Sequence, residues 1–233
     1  MKTLRFAIKQ IVPLLFSYLF VGLAFGILIH EAGYSAIWAC LAGTFIYAGS
    51  MQIVMVSLMT SGAPLEMVAV MTFFVNARHI FYGIGFVDKF RKMGWKYPYM
   101  VLTLTDEIYS VFCVIEYPED VDEKKADFYI AFICHLLWIF SCTTGALLGQ
   151  VLPFDMRGIE FSATAFFTVV CVNQWRQFAS HIPAIVGFAC AIVFYILLGA
   201  NNFLIPALSV SLIVLVIMKD IINMQMGGIK YDN

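Results

Sequence analysis

Runs of about 20 apolar residues recur from one end of this chain to the other, and a helix of that length spans roughly 30 Å of hydrocarbon. Eight such stretches lie at approximately residues 8–29, 35–60, 64–87, 97–117, 127–151, 158–177, 181–199 and 202–220. Lipid offers no hydrogen bonds, so each segment must satisfy its own backbone, which selects helices. Only 12% of the residues are charged, against roughly 25% in a soluble domain. The expected fold is therefore all-α: a polytopic membrane helix bundle forming a single transmembrane domain over residues 1–233. The first run, Ile11 to Ile29, is longer than the roughly 7–15 residues of a signal-peptide core and reads as a retained span.

Several function classes drop out at once. The net charge is −1 and no basic patch is interleaved with aromatics, so nucleic acid is not a partner. No glycine-rich phosphate loop carrying a lysine is present, which excludes an ATPase. Cys40, Cys113, Cys134, Cys142, Cys171 and Cys190 sit in apolar stretches without metal or redox spacing and read as small buried residues. No metal or other cofactor is expected.

Orientation follows the Lys/Arg bias of short loops. Lys2, Arg5 and Lys9 mark the N-terminus as cytoplasmic, and Lys89, Arg91, Lys92 and Lys96 do the same for the loop DKFRKMGWK. Three full crossings between them would place them on opposite sides. The stretch FIYAGSMQIV, residues 45–54, offers the way out, because Gly49, Ser50 and Gln52 interrupt the 35–60 run near its middle. Two half-helices meeting at Ala48-Gly49-Ser50 would enter and leave on one side, a geometry tolerated where backbone is buried in protein or lines a wet cavity.

Gly22, Gly26, Phe45 and Gln52 have counterparts at Gly145, Gly149, Phe167 and Gln174, offset by 122 or 123 residues. This pattern suggests two repeats, 8–117 and 127–220. With 158–177 also re-entrant, each repeat makes three crossings and the two are inverted. That layout has six full spans plus two re-entrant segments and puts the acidic loop YPEDVDEKKAD, residues 117–127, outside. The plain alternative is seven or eight ordinary spans.

Ionisable groups at mid-membrane depth are functional candidates. Thr72, Asn76, His79 and Gly83 recur at helical spacing on one face of the 64–87 run, with Arg78 on another. Asp106 and Glu107 are adjacent acids in the centre of 97–117, with Thr103, Glu107 and Ser110 sharing a helical face. The bland readings are interhelical hydrogen bonds for the first group and an Arg78–Asp106 ion pair for the second. The functional reading is a cation or proton site. In the last third, Glu160 and Asn173–Gln174 stand at the two ends of the second interrupted segment, and Asn201-Asn202 suits a tight turn. A serine hydrolase built on Ser50 and His79 is disfavoured, because AGSMQ lacks the G-x-S-x-G elbow.

FIYAGSMQIVMVSLMTSGAP, VNARHIFYG, LTDEIYSV and GIEFSATAFFTVVCVNQW, in this order, resemble the AzlC family of bacterial inner-membrane proteins. The matching positions are Gly49, Ser50, Gln52, Asn76, Arg78, His79, Tyr82, Gly83, Thr105, Asp106 and Glu107. Tyr47 stands where many relatives have Phe, and Glu160 where Asp is usual. The resemblance implies export of branched-chain amino acids with a small membrane partner of the AzlD type, and no enzymatic activity. A passive channel, or a subunit that scaffolds a partner without transporting, is the alternative. Substrate binding is expected at Gly49, Ser50, Gln52, Asn76, Asp106, Glu107 and Gln174, and a charge or proton relay at Arg78, His79, Asp106 and Glu107.

Overall fold

The computed structural model describes residues 2–151, 168, 171–172, 175–176, 180–199 and 203–226, apart from the side chains of Arg78, Phe81, Leu204, Ile205, Asn223, Gln225 and Met226. It is all-helical among the described residues and divides into two compact units, 1–156 and 157–233.

The first unit is built on a pair of long helices, α1 (Lys2–Glu31) and α7 (Glu123–Val151), both long and apolar enough to cross a membrane. Between them lie α2 (Ala36–Phe45), α3 (Gly49–Thr60), α4 (Leu65–Arg91), a 3-10 turn (Gly94–Lys96), α5 (Tyr97–Leu102) and α6 (Asp106–Val114). In lipid no hydrophobic force drives helices together, so close packing must hold them. Glycine supplies it here. A Cβ on Gly26 would lie 2.6 Å from the Ala146 backbone nitrogen, one on Gly145 2.8 Å from Leu23 Cα, and one on Gly22 2.6 Å from Ser141 Cβ. The outward stripe of α1 (Ile8, Val12, Phe16, Phe20) is apolar and exposed, as a helix bathed in lipid requires.

The pairings Gly22 with Ser141, Gly26 with Gly145, and Gly149 with His30 rise together along both chains. Helices α1 and α7 therefore run parallel. An inverted relation between 8–117 and 127–220 needs them antiparallel, so that expectation is corrected. Gly22, Gly26, Gly145 and Gly149 match because they form one seam between two helices.

The ends follow. Lys2 Nζ lies 2.8 Å from Asp120 Oδ2, the rings of Phe6 and Tyr117 are 6.1 Å apart, and Lys89 Nζ is 2.9 Å from the Tyr117 hydroxyl. The N-terminus and the 88–96 loop share one end of the unit, as the charge bias predicts. The 117–127 loop lies at that end too, whereas it was expected at the other. The reason is a second break. The 97–117 run is two short helices: α5 climbs along α7 from Trp95 beside Phe128 to Tyr99 beside His135, and α6 returns to Tyr117. Asp120 is held below the usual carboxylate range by its hydrogen bond and ion pair with Lys2, an exposed pair of small energetic consequence.

The other break falls where expected. Helix α2 starts at the far end, after α1, and brings Gly43 against Ile139 and the Thr44 carbonyl to His135. The chain then breaks over 46–48, and α3 begins at Gly49. Neither α2 (10 residues) nor α3 (12 residues) is long enough to span on its own. Helix α4 bends by 69° between Leu65–Ala77 and Tyr82–Arg91, which splits the expected Thr72–Gly83 stripe.

In the second unit α8 (Ile182–Leu198) packs on α9 (Leu204–Ile217), and α10 (Lys219–Met226) follows. Trp175 stacks on His181 with ring centroids 4.0 Å apart. The re-entrant segment expected at 158–177, with Glu160, Asn173 and Gln174, falls largely outside the described residues, as does the turn at Asn201-Asn202.

The seam yields a prediction. Gly26→Ala should lower stability by about 1–3 kcal/mol, the usual penalty for overpacking. Gly85→Ala, where a Cβ meets nothing within 4 Å, should be neutral. Thermal unfolding of the detergent-solubilised protein measures both.

Candidate functional site

Tyr18 lies near the midpoint of α1 and Trp138 near that of α7, with their rings edge to face at 5.6 Å. Both chain breaks end on this pair. Tyr47, in the 46–48 break, donates its hydroxyl to the Tyr18 hydroxyl at 3.3 Å, and Thr105, in the 103–105 break, shares a 2.7 Å hydrogen bond with that same hydroxyl. Two breaks approaching from opposite ends thus meet at mid-depth. Tyr47 takes φ 42°, a left-handed conformation unusual for a bulky residue. Its ring is held against His135 at 4.4 Å and Trp138 at 6.4 Å.

His135 ties both breaks to α7. Its Nε2 lies 3.2 Å from the Thr44 carbonyl, and its Nδ1 lies 3.0 Å from the Tyr99 hydroxyl. A carbonyl only accepts, so Nε2 carries the proton, and in the neutral ring Nδ1 accepts from Tyr99. Thr103 and Thr105 are buried between these groups.

Helix α3 presents its first turn to this junction. Gly49 packs on the indole of Trp138: a Cβ there would sit 3.0 Å from Cη2. One turn on, Gln52 is 0% exposed and its Oε1 accepts from Trp138 Nε1 at 2.8 Å. Its Nε2 has no partner among the described residues. An amide donor buried at mid-depth without an acceptor is costly, and this one stands beside the first turn of α3, the positive end of that helix.

Helix α6 brings the acids. Thr105 is its N-cap, with Oγ1 accepting from the Ile108 N–H, so Asp106 and Glu107 occupy its first turn. They are not the middle of one long helix, and Thr103 caps α5 instead of sharing their face. Glu107 lies within electrostatic reach of Tyr18, Tyr47 and Cys134. Asp106 Oδ1 is 4.0 Å from His79 Nε2, and His79 Nδ1 donates to the Asn76 carbonyl at 3.1 Å. Tyr82 stacks on Tyr109 at 4.4 Å, locking α4 alongside α6. Gly83 meets nothing within 4 Å, so it is not a packing glycine within this unit. The structure thus gathers Gly49, Gln52, Asp106, Glu107, His79 and Asn76 around two breaks. The Arg78 side chain and Gln174 lie outside the described residues.

The AzlC protein family model matches residues 13–152, which contain Gly49, Gln52, Asn76, His79, Asp106 and Glu107. The chain belongs to the AzlC family. It is 33% identical over 215 residues to the "Branched-chain amino acid transport protein AzlC" of Bacillus subtilis, covering 92% of this chain and 85% of that protein. An "Uncharacterized membrane protein" of Helicobacter pylori is 33% identical over 219 residues, 94% and 96% of the two chains. The "Inner membrane protein YgaZ" of Escherichia coli is 26% identical over 156 residues, 65% and 63%. No solved structure matches. This AzlC-family chain is a membrane protein of a transport family, not an enzyme.

Sequence reasoning missed Tyr18, Trp138 and His135, because aromatic residues within apolar runs look like ordinary lipid-embedded side chains. The Thr105 N-cap had a visible signal: Thr followed by two acids is a common helix start.

Trp138→Phe should orphan both ends of the Gln52 amide. A double-mutant cycle with Gln52→Leu should give a coupling of about 0.6–1.7 kcal/mol, the range of hydrogen bonds between membrane helices. Unfolding free energies of the four proteins in bicelles test it.

Proposed function

We propose that this AzlC-family chain exports small apolar amino acids, leucine, isoleucine and valine among them. It acts as a secondary transporter in the bacterial inner membrane, with its N-terminus cytoplasmic and a small AzlD-like membrane subunit as partner. The observation that carries this reading is the meeting of two broken segments at Tyr18 and Trp138. One break offers a helix N-terminus with an unpartnered amide, and the other offers two acids. The name of the Bacillus subtilis relative supplies the substrate class.

An amino acid needs those two halves. The first turn of α3 at Gly49 and Ser50, together with the Gln52 amide, would take the α-carboxylate, because the positive end of a helix dipole favours an anion. Asp106 or Glu107 would take the α-ammonium, and the aliphatic side chain would lie on the surrounding apolar residues. Asn76 borders the site from α4. Arg78 and His79 would balance the acids. Glu107 or His79 is proposed as carrier of a coupled proton.

Ser50→Ala and Gln52→Ala should each abolish export of branched-chain amino acids while leaving folded protein in the membrane. Wild-type export by either variant would remove the site from consideration. In proteoliposomes holding the chain and its small partner, counterflow should saturate with leucine. Flux that never saturates would mark a passive channel instead. Export that ignores the proton gradient would remove the coupling role from Glu107 and His79.

A further inference from the structure

At the end of the unit shared by Lys2 and the 88–96 loop, Lys89 reaches back among α4, α6 and α7. Its Nζ is 2.9 Å from Asp127 Oδ2, 3.1 Å from Glu123 Oε1 and 2.9 Å from the Tyr117 hydroxyl. Tyr117 donates its own proton to Asp127 Oδ1 at 2.5 Å, so its oxygen is available to accept from Lys89. The ammonium also lies 5.4 Å from the Phe112 ring centroid and 4.8 Å from that of Tyr117, within cation–π range. Asp127 is 0% exposed.

We propose that this Lys89–Tyr117–Asp127 cluster is a latch that closes the mid-depth junction on the Lys2 side and must part for that junction to open there. Its placement supports the role. Asp127 precedes Cys134 by seven residues on α7, two turns below it on the same buried face. Cys134 is itself 0% exposed and borders Glu107 and Tyr47 electrostatically. The two elements that carry charged groups to the junction, α4 with His79 and α6 with Asp106 and Glu107, are both tied to α7 at their lower ends through Lys89 and Tyr117. Parting the cluster frees both from α7 together.

The chemistry suits a switch better than a static clamp. A buried ion pair contributes little net stability, because the desolvation of both charges offsets their attraction, and apolar side chains would hold the helices as well. In an open state each charge regains water. Two arrangements of similar free energy result, the requirement for a bistable element.

Native Cys134 reports the opening. With the other five cysteines replaced by alanine, a membrane-impermeant maleimide is applied to vesicles of either orientation. Wild-type Cys134 should react slowly from both faces. Lys89→Gln leaves the buried Asp127 without its cation, and Asp127→Asn leaves Lys89 with only the half-exposed Glu123; each should raise labelling at least about tenfold, from the face bearing Lys2 only. The double variant K89M/D127L, which removes both buried charges and leaves the half-exposed Glu123 to water, should remain protected. Should one single variant fail to fold, the other and the double variant decide. Unchanged labelling in a folded single variant, or an increase from the opposite face, overturns the latch. No amino acid enters the measurement, so its outcome is separate from that of the export reading.

Discussion

The close approach of α1 and α7 sets everything else in the first unit. Gly22 and Gly26 on one helix and Gly145 on the other leave no room for a Cβ, so the backbones touch over several turns. Lipid gives helices no hydrophobic reason to associate, and such contact is what remains. Side chains of ordinary size would push the helices apart and remove the register between them. A slip of one turn would shift one helix by about 5.4 Å, enough to part Tyr18 from Trp138. Because the seam is parallel, both helices begin at the same end, and the intervening chain must return there before α7 starts.

Because the 88–96 loop also lies at that end, neither 35–60 nor 97–117 can cross fully, which accounts for the two breaks. The chain between α1 and α7 holds segments too short to span and brings their ends to Tyr18 from opposite directions. Polar backbone at such depth has to be satisfied locally, and the aromatic groups of the seam do much of this. Tyr18 serves Thr105 and Tyr47, His135 serves Thr44 and Tyr99, and Trp138 serves Gln52. The Gln52 amide nitrogen is left over. This surplus donor stands beside the N-terminus of α3.

The legible parts of this structure were those with a cost in lipid. Gly49, Ser50 and Gln52 stood out because small and polar residues interrupt an apolar run, and α3 begins at Gly49. The shared end of the N-terminus and the 88–96 loop followed from lysine and arginine placement. What failed had a common cause: adjacent residues were read as one helix. Thr103 to Ser110 was assigned a single face, although Thr105 caps a new helix there. That error made 97–117 a full crossing and set the 117–127 loop at the wrong end. The glycine matches were also ambiguous, since residues that pack against each other and residues equivalent in a repeat give the same pattern in one sequence. Lys89 and Asp127 gave no sign of pairing, because a lysine at a helix end and an acid in a charged loop are ordinary solvated residues until the fold brings them together.

Helix α6 joins the two polar centres. Its first turn carries Asp106 and Glu107 at the junction, and the chain leaving its last turn carries Tyr117 into the Lys89 cluster. Only nine residues separate the ends, a rigid rod of about 13 Å at 1.5 Å per residue. A rod that short does not absorb a displacement by bending. The antiparallel alternative expected for the two halves would not place these centres on one side of the junction. In the parallel arrangement both centres lie on one body, tied at its upper end to Tyr18 of α1 through Thr105 and at its lower end to Asp127 of α7 through Tyr117. The link between the two centres is then the helix itself.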